Sequence, residues 1–226
     1  MSSDDTQKRV SALLAGYPCV VASRLEARDD EIIRTVIRLL ETEGYDAVQV
    51  RRVAEEASIS LATLYKLYGS RDELIIRAIE RWMHENAYAG LDDVPDDATP
   101  YEAASQIVRR VFARWEQQPH MLAAFTRARL SPGGKRLDAQ GFDAVLPRAH
   151  AILAGVDPSL FADTAMILEH VNLAALQRFA AGEIAVTDIV PLYERALRRL
   201  LPDDIEPKPT GKGHPATPRQ ARRSRR

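Results

Sequence analysis

The sequence predicts an all-α fold, on three observations. Apolar residues recur at helical spacing through the segments between residues 29 and 201, with no strand-like alternation and no internal repeat. Helix-start residues precede these runs: Ser60, Ser70, Thr99, Asp157 and Thr187, with Pro100 and Pro158 at first helical positions. Val48 to Leu74 then reads as two short helices joined by a tight break and followed at once by a third helix start, the pattern of a helix-turn-helix. The architecture expected is an N-terminal three-helix helix-turn-helix domain, residues 29–75, and a C-terminal helical domain, residues 76–201.

The first helix is expected from Asp29-Asp30-Glu31, whose negative charge suits a helix start, through Ile32, Ile33, Val36, Ile37 and Leu40 to a stop at Gly44. In the second, Val50, Val53, Ala54 and Ala57 form one apolar stripe, and Arg51, Arg52, Glu55 and Glu56 stay outside it. Asp46 with Gln49 could cap it as a D-x-x-Q box. Ile59 is the plug of the turn and Ser60 the cap of the third helix.

On that third helix Leu64, Leu67 and Tyr68 share the inward face, leaving Leu61, Ala62, Thr63, Tyr65 and Lys66 at the front and flanks. Small side chains let a backbone approach base edges, and Thr, Tyr and Lys supply donors to phosphates. Gly69 permits a left-handed stop, and Ser70 with Glu73 forms a capping box for the fourth helix, which runs to about Tyr88.

These residues carry a family resemblance. Gly44 to Ile75 resembles the DNA-binding domain of the TetR family of bacterial transcriptional regulators, through Ala62-Thr63-Leu64-Tyr65 and the Ser70-Arg71 helix start. The GYDAVQ and ATLYKLY runs more narrowly resemble the actinobacterial repressors of steroid and cholesterol catabolism. Two positions depart from the family pattern: Ser58 replaces a turn glycine, and Val48 a capping threonine. The resemblance implies a homodimer on a palindromic operator of double-stranded DNA, released by an effector. Gln49, Arg51, Leu61 and Ala62 are expected nearest the bases, and Thr63, Tyr65, Lys66 and Arg71 around the phosphates, with Ser60 also at the DNA surface.

Beyond an acidic, proline-containing linker, Leu91 to Ala98, every segment reads helical: Pro100 to Gln118, 120–130, 135–154 with Pro147 inside it, Pro158 to Ala181, and a last helix capped at Thr187. The final two are apolar on more than one face, as a dimer interface requires. Phe112, Trp115, Met121, Phe125, Phe142, Phe161, Met166, His170 and Asn172 are candidate lining for an apolar pocket, each with ordinary core packing as its alternative. The effector expected is large and mostly apolar; the resemblance points to a steroid or fatty acyl compound, or its coenzyme A thioester.

The remaining features narrow the function class. The 226-residue chain has 31 bases and 32 acids, so any DNA-binding surface is local. Residues 28–83 hold nine bases and eleven acids, against an architectural protein that binds DNA without sequence preference. Cys19 is the only cysteine, which excludes an intramolecular disulfide and fits a cytoplasmic protein. No run approaches the ~20 apolar residues of a membrane span. Glu80/His84 and Glu116/His120 lack the spacings of di-iron or zinc sites, and Gly133-Gly134-Lys135 lacks phosphate-loop spacing. No enzyme, cofactor or metal is expected. Residues 1–28 are read as a flexible arm, and 202–226, with seven bases against three acids, as a disordered basic tail. A small-molecule-binding helical protein without sequence-specific DNA binding stays open as the alternative.

Overall fold

The computed structural model describes residues 19–91, 98–153 and 156–201, with side chains from Glu26 onward. The expectations for most of the N-terminal arm, the centre of the acidic linker and the basic tail fall outside these residues. Among them there are nine α-helices and no strand: α1 (Cys19–Thr42), α2 (Val50–Glu56), α3 (Leu61–Tyr68), α4 (Arg71–Trp82), α5 (Pro100–Gln117), α6 (Pro119–Ala128), α7 (Lys135–Ile152), α8 (Pro158–Ala180) and α9 (Ile189–Leu200). None of the described helices is long and apolar enough to cross a membrane.

Helix α1 is already formed at Cys19, the first described residue, so the acidic run at Asp29 is not its start. No glycine or proline interrupts the chain from Cys19 to Thr42, and nothing local ends a helix there. Asp29 and Asp30 act as tethers instead. Asp29 accepts from the Tyr68 hydroxyl at 2.6 Å, and Asp30 pairs with Arg34 one turn on and with Arg81 of α4.

The helix-turn-helix forms as its caps require. Ser60 Oγ accepts from Thr63 N–H and Ser70 Oγ from Glu73 N–H, each at 3.1 Å. Gly69 closes α3 at φ 76°. At the turn Ser58 has φ 53°, and Ile59 N–H reaches back to the Ala54 carbonyl at 2.9 Å, a Schellman closure in which a serine holds the left-handed position that glycine fills without strain. The D-x-x-Q box does not form: Gln49 Nε2 donates to the Asp46 carbonyl at 2.8 Å, while the Asp46 carboxylate pairs with Arg127 of α6.

One apolar core joins the two halves. It runs from Ile32, Val36 and Leu40 of α1 through Ile75, Ile79 and Trp82 of α4 to Met121 and Phe125 of α6 and Leu176 of α8. Helix α4 therefore belongs to both halves. It ends in a π-helical turn, Met83–Ala87, that delivers Tyr88. The Thr99/Glu102 capping box and Pro100 start α5, and α7 continues through Pro147. Thr187 is not the cap of α9; the Asp188 carboxylate accepts from Ala185 N–H at 2.8 Å and holds a short 3-10 turn before it.

Candidate nucleic-acid interface and effector cavity

Helix α3 is pinned from behind by Leu64 and Tyr68, both buried, which turns its other face outward. Leu61 is 38% and Tyr65 50% exposed, a large apolar presence for a surface without a partner. Ala62 and Lys66 are exposed beside them, with Gln49, Arg51 and Ser60 close in sequence at the starts of α2 and α3. The Ser60 and Thr63 hydroxyls lie 2.8 Å apart. One donates to the other, so a single hydroxyl proton of the pair stays free for an outside acceptor.

The arginines divide into two groups. Arg52 forks onto Glu43 at 2.6 and 2.8 Å and reaches Glu56 at 2.8 Å, and Arg38 also pairs with Glu56. Arg51 and Lys66 form no ion pair among the described residues. The sequence placed Arg71 among the phosphate-holding groups, and the structure assigns it other work: its guanidinium donates to the Val48 and Tyr45 carbonyls at 2.6 Å each. Arg71 also covers one side of the Tyr45 ring at 4.6 Å, with Arg127 over the same ring at 4.2 Å. It clamps the loop before α2 onto α4, a role that periodicity in sequence could not reveal.

In the C-terminal half, α5, α6, α7, α8 and α9 surround a cavity of about 230 Å³. Phe112, Trp115, Phe125, Phe142, Phe161 and Asn172, all anticipated, line it. Three anticipated residues do not. Met121 is fully buried in the packing of α6 against its neighbours, whereas Met166 is 52% exposed and His170 lies on that same outer face of α8, its Nδ1 2.7 Å from the Met166 carbonyl. Helix α8 is apolar nearly all round, so its sequence did not say which face turns inward.

The polar lining that the sequence missed is informative. Tyr88 enters from the π turn, and its hydroxyl lies 2.9 Å from where a side chain at Gly141 would begin, so a larger residue there would push the phenol aside. Burial pushes the phenols of Tyr88 and Tyr193 upward, with Asp138 adding to the effect at Tyr88 and Tyr88 at Tyr193, so both stay protonated hydrogen-bonding groups. Asp138 is held by Arg129 at 3.0 and 2.9 Å. Thr164 is 2% exposed and its hydroxyl has no hydrogen-bond partner among the described residues.

Two contacts join this cavity to the DNA-facing bundle. Trp115 of the lining packs on Trp82 of α4, ring centroids 4.5 Å apart, and Trp82 Nε1 donates to Glu41 of α1 at 2.7 Å. Arg136, next to the lining residue Leu137, grips Glu73 and Glu80 of α4, and Gln140 donates to the Glu80 carbonyl at 2.9 Å.

A helix-turn-helix bundle whose fourth helix is shared with a second helical domain defines a two-part DNA-binding regulator. Residues 32–78 match the family model described as "Bacterial regulatory proteins, tetR family", and residues 98–200 match "Tetracyclin repressor-like, C-terminal domain". The chain belongs to the TetR family, whose members are transcriptional regulators and not enzymes. It is similar to the HTH-type transcriptional repressor KstR of Rhodococcus jostii, 25% identical over 207 residues, covering 89% of this chain and 96% of that one. The KstR of Mycobacterium tuberculosis is 24% identical over 186 residues, covering 78% and 81%. A TetR transcriptional regulator from Rhodococcus sp. RHA1 shares the fold at TM-score 0.58 and 17% identity over 76% of this chain and 95% of its own. A regulator of the family from Streptomyces coelicolor does so at 0.55 and 16%, over 77% and 79%.

Proposed function

We propose that this protein is a homodimeric transcriptional repressor that binds a palindromic operator through α3 and is released when an apolar effector fills the cavity. The observation that carries this reading is the sharing of α4: the helix that follows the recognition helix is gripped by Arg136 and Gln140 of the cavity-lining α7. A ligand that displaces α7 in one state and not the other shifts α4, and with it α3. By linkage, effector binding then weakens operator binding by the factor that operator binding weakens the effector's. Gln49, Arg51, Leu61 and Ala62 face the bases, and Ser60, Thr63, Tyr65 and Lys66 the phosphates. The curated relatives at 24% and 25% identity carry the name of repressor, which supports the direction of control.

The effector is a steroid or a long-chain aliphatic compound, bound by shape and burial against Phe112, Trp115 and Phe125. Selection of bound duplexes from a random DNA pool, followed by gel shift with steroid and long-chain aliphatic compounds, tests the proposal. An enriched inverted repeat and its release by one of these compounds are expected. No enriched sequence, with ligand uptake intact, would instead favour a helical ligand-binding protein without sequence-specific DNA binding.

A further inference from the structure

We propose that the cavity selects an uncharged apolar molecule carrying a hydroxyl or ketone oxygen that bonds Thr164, and rejects carboxylates and acyl coenzyme A thioesters. This rests on the reading of the cavity as the effector site and names its ligand class. The charge pattern comes first. Among the described residues, the lining includes the carboxylates of Asp138 and Glu169 and no lysine, arginine or histidine. Arg129, behind Asp138, spends two guanidinium nitrogens on that carboxylate. His150 stacks on the lining residue Phe161 at 4.3 Å, but its exposed ring is not part of the lining. An anionic headgroup entering here would leave water without a cation to meet it, which is costly. Exposed Glu169 adds a like charge, and the other exposed residues of the lining, Phe142 and Leu146, offer no donor.

The hydroxyl of Thr164 gives the second, independent observation. It is fully enclosed, unpartnered and part of the lining. A buried hydroxyl left without a partner destabilises the free protein, and a ligand oxygen removes that cost on binding. Like Thr164, the Tyr88 and Tyr193 phenols and the Asn172 amide are neutral groups of the lining, so a ligand oxygen can exchange hydrogen bonds here with uncharged partners.

Trp115 lines the cavity, so tryptophan fluorescence of the full-length protein reports occupancy. Dodecanol, dodecanoate and dodecanoyl coenzyme A are titrated at neutral pH, with the uncharged dye Nile red as a probe of cavity access. Dodecanol should bind at least about tenfold more tightly than either anion. Thr164→Val should weaken dodecanol about three- to tenfold while raising the Tm of the ligand-free protein. Equal or tighter binding of dodecanoate or its thioester overturns the proposal and leaves the effector-site reading standing. Unchanged dodecanol affinity in Thr164→Val removes the role of Thr164. Uptake of neither Nile red nor any of the three compounds overturns the effector-site reading and this proposal with it.

Discussion

Arg136 and Glu73 meet fork to fork, with Nη1–Oε2 and Nη2–Oε1 both at 2.8 Å, and each side chain is only 16% exposed. Such a bidentate pair fixes orientation as well as distance. It lies between the helix that lines the cavity and the first turn of the helix that follows α3. Glu80 completes the arrangement at 2.6 Å, so removing the guanidinium leaves two carboxylates facing each other. Arg136→Met is expected to destabilise the fold by roughly 3 kcal/mol, and to move the effector concentration for half-release by about 2- to 30-fold, the range of a coupling change of ~0.5–2 kcal/mol. Chemical denaturation and effector titration of the operator complex measure the two effects. Release by effector at the wild-type concentration would show that coupling runs elsewhere.

Ser58 sits at φ 53°, where a side chain costs about 1–2 kcal/mol relative to the right-handed region. The residue is exposed, so a glycine there loses no burial. Ser58→Gly should therefore raise stability by about 0.5–1 kcal/mol after the added unfolded-chain entropy of glycine is counted. Denaturation midpoints of the two proteins decide it; a lower midpoint for the variant would mean that the serine compensates its own strain.

The helix-turn-helix was legible in the sequence because everything that makes it is local. The stripe of Val53, Ala54 and Ala57, the caps Ser60 and Ser70 and the stop at Gly69 act within a few residues of chain, and the structure has each of them in place. What was not legible depends on distant partners. Arg71 reads as a solvent-facing cation until the loop carbonyls of Tyr45 and Val48 are brought to it. Asp29 reads as a helix start until Tyr68 arrives. Apolar residues surround α8, so its sequence does not distinguish the inward face that carries Thr164 from the outward face that carries Met166 and His170. The one local sign of Thr164 was a hydroxyl within an apolar helical run.

Lys66 and Arg51 are expected to fail in different ways. Lys66, exposed on α3 and outside any ion pair among the described residues, is a point charge for phosphate. Lys66→Ala should weaken binding to specific and random DNA alike and reduce the salt slope by about one. Arg51, if it reads a guanine with both prongs, should on removal cost ~1–3 kcal/mol at one base pair and little on random DNA. Fluorescence anisotropy at several salt concentrations, with operators substituted one pair at a time, separates them. A Lys66→Ala protein with wild-type affinity and salt slope would take Lys66 out of the interface.

The dimer prediction turns on α8. Its outer face presents Met166 at 52% and Leu173 at 37% exposure, with Ala162, His170 and Ala174 around them. The exposed face of α9 is different: it carries Arg195, Arg198 and Arg199, and its apolar residues Ile189, Tyr193 and Leu197 turn inward. The apolar contact between protomers is therefore expected along α8, with α9 contributing at its polar edge. A two-fold axis there brings each substitution into the contact twice, so a charge at Leu173 meets or approaches its own copy. Met166→Glu/Leu173→Glu should shift the protein from dimer to monomer in analytical ultracentrifugation at micromolar concentration. Each side chain already lies outside the protomer core, so the variant should keep its helical circular dichroism. A monomer engages one half-site, and loss of the second reduces operator affinity by orders of magnitude while leaving cavity binding of Nile red unchanged. A double variant that still sediments as a dimer would place the interface on another face.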